Sequence, residues 1–115
     1  MRTLDQADVL SLRDRQLLTE IKNLIREYEP EATVLLYGSV ARGTQTPESD
    51  YDILVLTDTA LSRERQKEIR GAVCDWELDP GIVVSIGFHS KAEWDCTGDW
   101  IPPFQREVQR DSIVL

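Results

Sequence analysis

Leu35-Leu36-Tyr37-Gly38-Ser39-Val40-Ala41-Arg42-Gly43, followed after a polar loop by Ser49-Asp50-Tyr51-Asp52-Ile53-Leu54-Val55-Leu56, decides the architecture of this chain. Ala32 to Tyr37 is short, apolar and partly β-branched, and Gly38 stops it, which predicts a buried strand. Ser39 to Ser49 is turn-rich, with Gly43 and Pro47, and the apolar run Tyr51 to Leu56 then predicts a second strand.

Side chains alternate across a strand, so Asp50 and Asp52 at the start of the second strand point to one face. Two carboxylates this close repel unless a cation lies between them, and Mg²⁺, a hard ion with oxygen ligands, suits them. Gly38-Ser39 supplies a complementary half. Glycine lets backbone approach a phosphate, the serine hydroxyl donates to it, and a short helix beginning there would aim its N–H groups the same way. Taken alone, an Asp pair before a strand is commonly a solvated turn and Gly-Ser an ordinary loop dipeptide. Both halves, at this spacing and in this strand context, fit a nucleoside triphosphate with its metal.

Outward from that core, Leu17, Leu18, Ile21, Leu24, Ile25 and Tyr28 fall on one stripe of an amphipathic helix that Pro30 ends. Ser62 caps a second helix with Ile69, Val73 and Trp76 on one face, and Asp79-Pro80-Gly81 terminates it. A third strand, Ile82 to Phe88, follows. A turn or short helix from Ser90 to Trp94, a Pro102-Pro103 break and a helical segment from Phe104 to about Arg110 complete the chain. This order predicts an α/β (α+β) fold: a small mixed sheet of three to four strands packed against helices on one side, in one domain over residues 1–115.

The 115 residues leave room for one active-site face. Apolar residues at 41% and charged residues at 30% point to an ordinary globular fold. The net charge of −8 disfavours generic nucleic-acid binding. No apolar run approaches the roughly 20 residues of a membrane helix, and Met1-Arg2-Thr3-Leu4-Asp5 lacks the hydrophobic region of a signal peptide, so a cytoplasmic protein is expected. Cys74 and Cys96 lack the spacing or neighbours of a zinc site and read as free thiols. His89 and the tryptophans Trp76, Trp94 and Trp100 read as structural before catalytic or base-stacking.

Gly38-Ser39-Val40-Ala41-Arg42-Gly43 with Ser49-Asp50-Tyr51-Asp52 resembles the signature of the DNA polymerase beta-like nucleotidyltransferases, above all the minimal nucleotidyltransferases. The resemblance is tightest from Leu35 to Leu56. It implies transfer of a nucleoside monophosphate, AMP first, from ATP or another NTP to a hydroxyl of a protein or small molecule, with two Mg²⁺ ions clamping an in-line displacement. It also implies that Asp50 and Asp52 are the catalytic metal ligands and that Gly38, Ser39, Arg42 and Ser49 bind the nucleotide. Arg42 reads equally as a surface salt bridge.

The resembling family carries a third carboxylate on the next core strand, near Val83 or Ser85 in this chain. The strand from Gly81 to His89 holds no Asp or Glu. Glu77 and Asp79, just before it, are weak substitutes, and Asp79 before Pro80 reads first as a turn residue. Ser85 with Ser90-Lys91-Ala92-Glu93-Trp94 is similar to a pattern in some bacterial members. The resemblance implies a partner as well: an HEPN-type toxin, or another acceptor protein, with an oligomer left open. The alternative is a degenerate module that binds nucleotide or a partner without catalysis. An antibiotic-modifying transferase ranks last, because it needs an acceptor lobe.

Overall fold

Val34-Leu35-Leu36 and Ile53 to Thr57 are buried without a break, as expected of strands with apolar cover on both faces. In the computed structural model, which describes residues 2–3, 10–43, 50–76, 83–95 and 102–115, they form β2 (Thr33–Tyr37) and β3 (Tyr51–Thr57). These two pair antiparallel, with Tyr37 opposite Asp52. Around them lie β1 (Arg2–Thr3), α1 (Leu12–Tyr28), α2 (Gly38–Arg42), α3 (Arg63–Trp76), β4 (Val84–Ser90), α4 (Lys91–Asp95), α5 (Pro103–Asp111) and β5 (Ile113–Val114).

The sheet runs β1-β5-β2-β3-β4. It is mixed: β4 lies parallel to β3 and β1 parallel to β5, while β5 runs antiparallel to β2. The predicted strands are β2, β3 and β4. Two-residue β1 and β5 extend the sheet beyond them, and elements so short carry no periodicity to read.

Each helix begins or ends where its sequence provides for it. Ser11 caps α1, its Oγ accepting from Asp14 N–H at 3.1 Å, and Ser62 caps α3 by accepting from Arg65 N–H at 3.1 Å. A cap of this kind contributes about 1 kcal/mol.

The expectation of helices on one side is corrected. Leu18, Ile21 and Ile25 of α1 and Ile69 and Val73 of α3 pack on Val34, Leu36, Ile53 and Val55. On the opposite face Trp94 of α4 and Val108 of α5 pack on Leu35, Leu54 and Leu56. Continuous apolar runs in β2 and β3 require this second cover, since alternation places half of each run on either face. No helix among the described residues is long and apolar enough to cross a membrane. The terminator Asp79-Pro80-Gly81, the start of the third strand at Ile82, Cys96 and Trp100 lie outside the described residues.

Candidate functional site

Gly38 is where β2 turns into α2, and its φ of 79° lies in the left-handed region that favours glycine. A second constraint is steric. A Cβ at this position would overlap Oδ2 of Asp52 and stand 3.1 Å from its Cγ. The glycine therefore does two things: it allows the sharp turn, and it leaves the space in which the Asp52 carboxylate rests.

Asp52 sits on the face of β3 that carries Leu54 and Leu56, the face covered by α4 and α5. Gly38, Ser39, Arg42 and Asp52, all singled out from sequence, line one cavity of about 310 Å³. The structure thus brings together four of the six predicted site residues. Asp50, at the mouth of β3, is exposed but close enough to act on Asp52. Ser49 lies outside the described residues.

Burial raises the pKa of the Asp52 carboxyl above its ordinary value, the negative charge of Asp50 raises it further, and Arg42 opposes the rise. Tyr37, opposite Asp52 in the sheet, has its phenol pKa raised by burial and then by the Asp52 charge. Arg42 also approaches Asp111 of α5 at 3.9 Å, with 39% of its side chain exposed. A pair this long and this exposed contributes little and leaves the guanidinium available to an anion.

Tyr37, Phe104 and Glu107 line the same cavity and were not among the predicted site residues. Phe104 and Glu107 belong to α5, which a tertiary contact brings over α2. The signal for them was slight: one aromatic residue near the start of a mostly polar helix, with a carboxylate one turn later.

The β4 side of Asp52 differs. Ser85 is its register partner in the parallel pair, so the two side chains share a face. Val83 and Ser85, the positions near which the resemblance implies an acid, both lack a carboxylate. Glu77 and Asp79 lie outside the described residues. His89, four residues along β4, is exposed and stands 5.7 Å from the Trp94 ring.

Whether a divalent cation fits can be judged from the donors. Among the described residues no three His, Cys, Asp or Glu side chains converge on a metal position. Mg²⁺ does not need such a cage; it is commonly held by one or two carboxylates, with substrate phosphates and waters completing the shell. Burial first, and then the Asp50 charge, disfavour the ionised Asp52 carboxylate, and a cation would offset both. The carboxylates of Asp50 and Asp52 are donors of the kind that Mg²⁺ takes when it is delivered with a triphosphate.

No curated protein matches the chain. A family model described as a nucleotidyltransferase domain matches residues 18–114, a span that contains both strands of the site, the turn at Gly38 and the covering helix α5. The chain belongs to the nucleotidyltransferase domain family.

Proposed function

We propose that this chain transfers a nucleoside monophosphate, AMP in the first instance, from ATP to a hydroxyl group on a partner protein. The observation that carries this reading is the seat of the Asp52 carboxylate against Gly38, in a cavity that Ser39 and Arg42 also line. In the transfer, the acceptor oxygen bonds to the α-phosphorus and the bond from that phosphorus to the β-bridging oxygen breaks. Pyrophosphate leaves with the electron pair, and the hydroxyl proton passes to water.

The chain's residues divide the work. The Ser39 hydroxyl donates to a phosphate oxygen and the Arg42 guanidinium offsets the triphosphate charge. Ser49, which precedes Asp50 in the sequence, is assigned to the nucleotide as well. Asp50 and Asp52 would hold Mg²⁺, which supplies charge neutralisation at the attacking and leaving oxygens. An acceptor of the HEPN toxin type is the partner class that the minimal nucleotidyltransferase resemblance implies, and neutralising such a toxin by modification is the corresponding role.

A second reading is favoured by one observation, Ser85 beside Asp52. A serine hydroxyl neither holds a metal as a carboxylate does nor accepts the acceptor's proton. Removing a general base costs typically about 10²–10⁴ in rate. In this reading the fold binds nucleotide or partner and acts by contact.

Incubation with α-labelled ATP, Mg²⁺ and the candidate partner separates the two. Label on the partner that disappears with both Asp50→Ala and Asp52→Ala supports transfer. Absence of label with partner binding intact supports the contact module.

A further inference from the structure

Phe104 is a large apolar side chain left 43% exposed. It opens α5 on the wall of the cavity that contains Asp52 and Ser39. Its ring is fixed by two perpendicular aromatic neighbours, Tyr37 at 5.4 Å and 87° and Trp94 at 6.3 Å and 89°. Trp94 is itself buried, and the buried Gln105 side chain donates to the Trp94 carbonyl, which ties α5 to the end of α4. An aromatic ring held from behind and open toward a nucleotide site has lost its conformational freedom before any ligand arrives.

We propose that Phe104 is the stacking platform for the nucleobase of the NTP, a subsite that rests on the nucleotidyltransferase reading and goes beyond it. Charge orients the ligand. Glu107, one turn along α5 from Phe104, puts a carboxylate on the same wall and disfavours phosphate there, whereas Arg42 and Ser39 accept phosphate. The triphosphate therefore lies over α2 and the base over α5. Every nucleobase has a π-face, so the ring contributes affinity more than choice of base.

The test compares two ligands on the full chain with Mg²⁺: ATP, and inorganic tripolyphosphate, which has no base. Stacking on an aromatic side chain contributes a factor of roughly 5–150 in affinity. Phe104→Ala and Phe104→Leu are expected to weaken ATP binding by about tenfold while leaving tripolyphosphate unchanged, and Phe104→Trp is expected to preserve ATP binding. Phe104→Leu retains apolar bulk at the position, so it separates loss of stacking from loss of packing.

Unchanged ATP affinity in Phe104→Leu overturns the proposal. Equal weakening of both ligands also overturns it, because the ring would then only support the fold. Intact ATP affinity with label transfer lost would assign the ring to the acceptor instead, and likewise defeats the nucleobase assignment. Wild-type protein that binds neither ligand would reject the nucleotidyltransferase reading itself, an outcome distinct from the others.

Discussion

The two flanks of β3 are built to different standards. On the β2 side, Tyr37 stands opposite Asp52, the next residue lacks a Cβ where one would overlap the carboxylate, and Ser39 and Arg42 follow on α2. On the β4 side, the register partner of Asp52 is Ser85, whose hydroxyl is a weak ligand for a hard cation. One flank has a glycine turn that opens a cavity beside Asp52; the other presents a serine and no carboxylate on the described residues of β4. On the proposed reading, nucleotide binding and acid-base chemistry fall to different neighbours of one strand and can be tested separately.

The largest effect is expected from filling the poorer flank. Ser85→Asp places a third carboxylate in register with Asp52, and label transfer is expected to rise by roughly 10²-fold or more, the contribution of a positioned base. The same change adds like charge beside Asp50 and Asp52, so thermal denaturation should show a loss of stability that Mg²⁺ with ATP reverses. An unchanged rate would mean that the serine is not what limits the chemistry.

Spoiling the better flank should cost somewhat less. Gly38→Ala forces a left-handed backbone on alanine, about 1–2 kcal/mol, and pushes a methyl into the Asp52 carboxylate. By displacing the carboxylate proposed to hold Mg²⁺, it is expected to weaken Mg²⁺-dependent ATP binding by about 10–100-fold, measured calorimetrically. Normal binding in Gly38→Ala would show that the close approach of Gly38 and Asp52 is incidental.

A smaller effect lies on the back of the same strand. Tyr51, between the two aspartates, donates its hydroxyl to Oδ1 of Asp14 on α1 at 2.6 Å, and so fastens the entrance of β3 to the helical layer. Tyr51→Phe should lower stability by about 1 kcal/mol in denaturant unfolding, the contribution of one partly buried hydrogen bond.

The same bond has a pH signature. Burial, then the hydrogen bond and charge of Asp14, push the Tyr51 phenol up to about 12 from 10.0, with Arg13 opposing. Between these values the unfolded chain has lost the proton and the folded chain keeps it. This contribution to stability is whole below pH 10 and is lost as pH rises toward 12. Tyr51→Phe should flatten that part of the stability-pH curve.

What could be read from sequence was local. The apolar runs of β2 and β3, the stop at Gly38 and the Ser62 cap each depend on neighbours within a few residues. What escaped depends on contacts between distant segments. Phe104 reaches the cavity because Val108 and Gln105 seat α5 on the sheet and on the end of α4, and helical periodicity does not say which site a helix will cover. The bond from Tyr51 to Asp14 spans 37 positions. The second helical layer follows from Leu35 and Leu54 facing away from α1, a consequence visible only once both runs are recognised as buried on two faces.

The most direct test of the central claim, that the β2 flank and Asp52 form a nucleotide site completed by metal, is a titration of ATP into the protein with and without Mg²⁺, repeated with Asp52→Ala. The account predicts binding to the wild type that Mg²⁺ strengthens, and loss of that strengthening in Asp52→Ala. Equal affinity with and without Mg²⁺, or an Asp52→Ala variant indistinguishable from wild type, would contradict it.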